Sequence, residues 1–250
     1  MEFNRIICLH SVLPSGYSIK KLGKLLKTLG FLGVKIIPLM TMLKEKPRGK
    51  NIALTFDDGY ADNFRVLLPF LVDKNLHATL FFGPELFLSS SSLSDRISMG
   101  LKPLELGNSS DIAKWLAAGM GVGYHTKNHQ DLFRLKHKFI ERDFKEGVQM
   151  FRNICGFTPQ VFAYPFGNLP QDFNSFKTLA QSYSFDFCLT VNWGDIADSK
   201  GDYLIKRVCL GDNDPILWSV AKAIGIVDFY YNRRKLRTSQ TVVIDSIPVY

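Results

Sequence analysis

The stretch Asn51-Ile52-Ala53-Leu54-Thr55-Phe56-Asp57-Asp58-Gly59-Tyr60 decides the reading of the fold. Asn51–Phe56 is an apolar run of strand length, and Asp57-Asp58-Gly59 is the turn signal that ends it. A helical pattern follows from about Asp62 to Asn75. His77–Phe82, with Thr79, Phe81 and Phe82, then reads as a second strand. Strand, helix and strand in this order make a βαβ unit, with two carboxylates at the C-terminal end of its first strand.

The same alternation extends both ways. Upstream, Arg5–Leu9 reads as a strand. Ser18 caps a helix carrying Ile19, Leu22, Leu25, Leu26 and Leu29, with Gly30 as its stop. Lys35–Pro38 is a short apolar run and Glu45–Lys50 a charged loop. Downstream, Pro84–Gly107, with its serine run Ser89–Ser92, reads as a surface excursion. Ser109 or Ser110 caps a helix through Trp115 that stops near Gly119. Gly121–Tyr124 is a strand and Glu141–Ile154 a helix ended by Gly156. Gln160–Tyr164 is a strand running into Pro165-Phe166-Gly167. Ser175–Ser182 is a helix, and Phe185–Val191 and Tyr203–Leu210 are strands. Asp214 caps a last helix through Ile216, Val220 and Ile224. Asn232–Thr238 is a basic tail and Thr241–Asp245 a final strand.

About seven βα units predict an α/β fold with a parallel sheet and outer helices. No repeat or linker divides the chain, so residues 1–250 read as one domain. Polar motifs collect at predicted strand ends, which favours a barrel over an open sheet.

Composition narrows the function. The chain has 250 residues, 46% hydrophobic and 22% charged, which excludes a disordered tail, a collagen and a disulfide miniprotein. The net charge is +8, yet residues 1–50 hold ten basic and two acidic residues while the remainder is neutral. With no recognised motif, a nucleic-acid partner is not expected. Lys20, Lys24 and Lys27 share the outer face of the first helix with Lys21 beside them, and more basic residues lie between Lys44 and Lys50. They read as a solvated face or as a peripheral contact with anionic membrane. Cys8, Cys155, Cys188 and Cys209 form no C-x-x-C pair and are expected to be reduced. The first residues lack a leader pattern, and no stretch approaches the roughly 18 apolar residues of a membrane span. The expected location is the cytoplasm, peripheral at the inner membrane face.

Four motifs can carry chemistry. In Thr55–Tyr60, adjacent Asp57 and Asp58 point in different directions, so one can bind a metal while the other acts as base. A plain Asp-Gly turn has the same letters. In His125-Thr126-Lys127-Asn128-His129 the histidines are four apart, a spacing that on one helical turn lets both reach one metal. Phe162–Gly167 sets Tyr164 and Pro165 in a rigid turn whose Phe166 N–H can face an oxyanion. In Leu189–Asp195, Trp193 can floor a sugar site or simply pack. Asp58, His125 and His129 together make a two-histidine, one-carboxylate set. It suits one divalent ion, zinc first, with cobalt, nickel or iron(II) also possible.

These motifs, in this order, resemble the polysaccharide deacetylase family, the NodB-homology or carbohydrate esterase family 4 domain. The likeness runs through most of the chain, from Leu25-Leu26-Lys27-Thr28-Leu29-Gly30 to Ile205-Lys206-Arg207-Val208. It implies a distorted (β/α) barrel and metal-dependent removal of an acyl group from an N-acylated amino sugar; the expected cytoplasmic location, rather than the resemblance, points to a lipid-linked or other glycan precursor as substrate. The resemblance assigns Asp57 as general base and Asp58, His125 and His129 as metal ligands. Phe166 is expected at the oxyanion, and Tyr60, Tyr164, Pro165 and Trp193 at the substrate. Two departures stand out. Ala163 occupies a position where many members have an arginine that orients the base; Arg207 is expected to supply that charge. No histidine follows His137, where many members keep their acid. His10, in Leu9-His10-Ser11-Val12, resembles the Tyr-His-x-Val element of poly-N-acetylglucosamine deacetylases and is expected to be the acid. The alternatives are a non-catalytic carbohydrate-binding relative and a deformylase of a lipid-linked amino sugar.

Overall fold

In the computed structural model, which describes residues 2–88 and 104–228, all pairings between strands are parallel. The strands are β1 (Phe3–Leu9), β2 (Lys35–Ile36), β3 (Lys50–Phe56), β4 (Ala78–Phe82), β5 (Gly121–Tyr124), β6 (Val161–Ala163), β7 (Phe187–Leu189) and β8 (Val208–Cys209). Seven lie side by side in the order β7-β6-β5-β4-β3-β1-β8. The short β2 pairs with Asn51 and Ile52 of β3, below β4. β3 and β4 are buried on both faces, which is why they read as unbroken apolar runs.

The sheet curls until its two edges share one segment. Ile205 bridges to Leu189 of β7, while Val208 and Cys209 pair with Ile7 and Cys8 of β1. Residues 205–209 thus form a seam that closes a distorted (β/α) barrel of the expected kind. Alternation along the strands separates two apolar layers. Ile6, Ala53, Phe81, Ala163, Leu189 and Ile205 meet inside the curl. Ile7, Leu9, Ile52, Leu54 and Phe56 face the helices. The inner rows continue past the apolar residues: Thr55 and Asp57 follow Ala53, Cys8 and His10 follow Ile6, and Arg207 follows Ile205. The period of two therefore delivers a carboxylate, an imidazole and a guanidinium to one mouth.

The helices differ from the sequence reading mainly at their ends. Helix α1 (Ile19–Phe31) starts at Ser18, whose Oγ accepts from Lys21 N at 3.4 Å, and buries Leu22, Leu25 and Leu29. Each such leucine contributes about 1.5–3 kcal/mol. The helix runs past Gly30, and the residue after it that turns left-handed is Gly33, at φ 74°. Helix α2 (Leu39–Glu45) fills a stretch where no helix was expected; its seven residues are too few for a clear periodicity. A π-helical turn, Asn63–Leu67, leads into α3 (Leu68–Asp73), and α4 (Pro84–Leu88) follows β4. Asn108, rather than Ser109 or Ser110, caps α5 (Ser109–Ala117) by accepting from Ser110 N and Asp111 N. The long α6 (His137–Cys155) ends at Gly156, as expected, and α7 (Phe173–Ser182) starts at Asp172. Helix α8 (Ile216–Ala223) starts at Pro215; Asp214 instead accepts from Gly211 N at 2.7 Å and pairs with Lys222 at 2.6 Å. All four cysteines are free. The serine run Ser89–Ser92, the basic tail Asn232–Thr238 and the strand expected at Thr241–Asp245 lie outside the described residues. No helix among the described residues is long and apolar enough to cross a membrane.

Candidate active site

Asp57 N–H donates to Leu9 O at 2.9 Å, so the β1–β3 ladder runs one residue beyond the strand. The backbone then turns sharply, with Asp58 and Gly59 both at φ 73°. A left-handed aspartate costs about 1–2 kcal/mol. The turn splits the two carboxylates, sending Asp57 into the curl and Asp58 towards the end of β5. Gly59 cannot be replaced cheaply, because a Cβ there would press on the Phe87 ring.

The histidine pair converges by a different route from the helical turn that its spacing suggested. Thr126 and His129 are left-handed, at φ 56° and 60°, and the segment is a tight loop. Thr126 Oγ1 accepts from Gln130 N at 2.8 Å. Asp143 of α6 accepts from Lys127 N at 2.8 Å and from the Tyr124 hydroxyl at 2.6 Å. The imidazole rings come to rest 4.8 Å apart. Asp58 Oδ1 lies 3.7 Å from His125 Nε2 and 3.3 Å from His129 Nε2.

His125 Nδ1 lies 2.7 Å from the Ala163 carbonyl, which can only accept, so Nδ1 carries the proton and Nε2 presents a lone pair. Burial pushes His125 down to about 4, so the ring is neutral at pH 7. Asp58 Oδ1 is buried and has no hydrogen-bond partner. A buried, unpartnered carboxylate oxygen facing an imidazole lone pair is a place for a cation. Two imidazoles and one carboxylate therefore fit a divalent metal.

Beside this cluster Asp57 is held by Arg207. Nη1 donates to Oδ1 at 2.7 Å and Nη2 to Oδ2 at 2.8 Å, a bidentate pair in which Arg207 is fully buried. Nε donates to Thr190 O at 3.0 Å, and the guanidinium lies 5.4 Å from the Phe81 ring centroid. Burial by itself would raise Asp57. The Arg207 charge, with help from His125, outweighs it and holds the carboxyl well below its usual range.

His10 is half-buried, with a ring nitrogen within 4.8 Å of an Asp57 oxygen. Two residues without a site role in the sequence reading hold the segment around it. Asn63 Nδ2 donates to His10 O at 2.8 Å, and Asp62 accepts from Val12 N at 2.5 Å and from Ser11 Oγ at 3.2 Å. Their signal was two adjacent polar residues at the start of a helix that is otherwise apolar inward. Phe166 is left-handed, at φ 59°, and its ring lies 4.6 Å from His129.

Burial corrects the substrate contacts expected of Tyr60, Tyr164 and Pro165. Tyr60 is 2% exposed and packs with Leu106. Tyr164 is fully buried with its hydroxyl donating to Tyr203 O at 3.0 Å, and Pro165 is buried next to it. Trp193 lies against Lys222 of α8, 4.7 Å from Nζ to the ring centroid. Packing, rather than an open sugar platform, accounts for Tyr60, Tyr164 and Pro165, whereas Trp193 is only half-buried.

Burial pushes Asp143 up from 3.8 to about 6. The folded state thus binds this proton more tightly than the unfolded state, and the contribution to stability falls as pH rises from about 4 through about 6. The change is about 3 kcal/mol. In Asp143→Asn, urea unfolding across that window should lose this downward component. An unchanged slope would refute it.

The profile of the polysaccharide deacetylase family matches residues 44–184. The YxkH protein of Bacillus subtilis (strain 168) is 22% identical over 170 residues, which is 68% of this chain and 55% of that protein. The chain thus spans about half the length of this relative. Among solved structures, IcaB from Ammonifex degensii matches with a TM-score of 0.72 at 20% identity, covering 89% of this chain and 97% of that one. Deacetylase PplD of Streptococcus pyogenes, in complex with acetate, matches with a TM-score of 0.69 at 18% identity, covering 89% and 98%. At these identities the likeness is one of fold.

Proposed function

The chain belongs to the polysaccharide deacetylase family, and from that premise we propose that it hydrolyses the N-acetyl group of an amino sugar in a glycan or glycan precursor, as a single-domain, metal-dependent enzyme. One observation carries the reading: the Asp58–His125–His129 cluster and the Asp57–Arg207 pair meet at one mouth. A protein that only bound sugar would have no use for a second, charge-balanced carboxylate beside a ligand cluster.

Asp58, His125 and His129 would hold the ion, zinc first. When bound, it supplies Lewis acidity to the amide carbonyl and to the attacking water. Asp57 accepts the water's proton. Arg207 keeps it ionised at every working pH, at the cost of basicity, so the pair suits a water that is already acidified. The Phe166 N–H is assigned to the developing oxyanion. His10 returns a proton to the leaving amine.

Acetate release from N-acetylglucosamine oligomers and lipid-linked amino sugars tests this, together with elemental analysis. Acetate should appear, stop on chelation and return with zinc. His10→Ala should keep its metal and lose about 10²–10⁴ in turnover. Bound metal with no acetate from any substrate would favour the sugar-binding alternative, and formate in its place would favour the deformylase. Full turnover by His10→Ala would remove its role.

Membrane contact belongs to the same proposal. Lys20, Lys24 and Lys27 are exposed along α1, and Lys27 lies 5.8 Å from the ring of Phe31, which is 81% exposed. Lys21 is turned inward, donating to Asp212 O at 2.8 Å. A row of cations ending in an exposed aromatic suits anionic headgroups, at about 1 kcal/mol per lysine. Changing Lys20, Lys24 and Lys27 to Gln should reduce co-flotation with anionic liposomes, while Lys21→Gln should not. Equal flotation of the triple variant and wild type would dismiss the contact.

A further inference from the structure

A second group of ligands lies beside the first. Cys8 and Cys209 are register partners on the parallel strands β1 and β8, so their side chains leave the sheet on the same face. Cys8 Sγ lies 3.4 Å from Asp57 Oδ2, which identifies that face as the inside of the curl. His10 stands two residues beyond Cys8 on the same row. Cys8, His10 and Asp57 each bring a ligand atom within 4.8 Å of the others.

From this juxtaposition we infer that Cys8, Cys209 and His10 form a soft-metal site, separate from the Asp58–His125–His129 cluster, through which excess zinc or cadmium inhibits the enzyme. Two sulfurs and an imidazole select such ions over magnesium or calcium, which need oxygen ligands. On binding, both thiols release their protons to solvent. Two thiolates then balance a divalent ion, so the Asp57–Arg207 pair keeps its own neutrality. Cys209 and His10 are half-buried and Cys8 is buried, so the site opens from the mouth side. The inhibition rests on the proposed reaction: an ion on the His10 nitrogen removes the lone pair that would carry the proton. It also stands within reach of Asp57.

The test titrates cadmium chloride into the full chain loaded with zinc. It follows thiolate-to-cadmium charge-transfer absorbance and acetate release in parallel. In the wild type, absorbance and inhibition should rise with one midpoint. In Cys209→Ser the absorbance should fall and the midpoint weaken by about tenfold or more, since even indirect disturbance of a metal site costs that much. Cys155→Ser, a thiol elsewhere in the molecule, should behave as wild type. Cys8→Ser gives an independent second variant should Cys209→Ser fail to fold. Absent thiolate absorbance in the wild type, or absorbance unchanged in both cysteine variants, would overturn the site. Absorbance with no acetate release under any condition would leave the site standing and overturn the hydrolase reading instead.

Discussion

Asp57→Asn should reduce acetate release by on the order of 10²–10⁴-fold, the usual share of a positioned base. The same change should destabilise the fold by about 3–5 kcal/mol, because it leaves the Arg207 charge buried without its partner. Activity and stability can be separated by adding Arg207→Met. The double variant should regain part of the lost stability and none of the activity. Arg207→Met alone should raise the Asp57 pKa, since it removes the cation that holds it down. The acid limb of the activity profile should then move to higher pH. In the wild type the depressed Asp57 contributes stability above the ordinary carboxylate pKa, and loses it as pH falls further. Near-native turnover by Asp57→Asn, or equal stability of single and double variants, would refute the base and its ion pair.

His129→Ala should abolish metal retention and turnover together. His129 is the better probe of the two histidines, because His125 also ties the end of β5 to β6 through Ala163 O. Its loss would confuse folding with binding. Zinc at 100 times its dissociation constant stabilises a folded protein by about 2.7 kcal/mol. Wild type should show a rise in melting temperature of that origin, and His129→Ala should show none. A variant that kept one zinc per chain, or an undiminished zinc-induced rise, would place the metal elsewhere.

The strand ends were legible in the sequence because period-two alternation and turn signals are local. Asn51–Asp57 and Gly121–His125 sit where those signals placed them. The cluster of Asp58, His125 and His129 followed from motif order. Its geometry did not, because four-residue spacing is shared by a helical turn and by a loop with two left-handed residues, and the loop is held by bonds the spacing does not show, from Lys127 N to Asp143 and from Gln130 N to Thr126. Arg207 was reached from its place near a strand end, but its bidentate grip on Asp57 depends on closure between distant strands. Tyr60 and Tyr164 turn out buried, because an aromatic beside a turn looks the same in sequence whether it lines a cleft or fills a gap. Asp62 and Asn63 passed unnoticed since their partners lie some 50 residues away, at 50 for Asp62–Val12 and 53 for Asn63–His10.

The closing seam has a consequence for how the protein comes to life. Asp57 and the arginine that balances it are 150 residues apart in the chain. Contacts of such separation form late and slowly. The guanidinium is brought to Asp57 by the pairing of Val208 and Cys209 with β1, at the far end of the chain from the strand that carries the carboxylate. The charge balance of this carboxylate is thus written into the closure of the barrel rather than into its own strand.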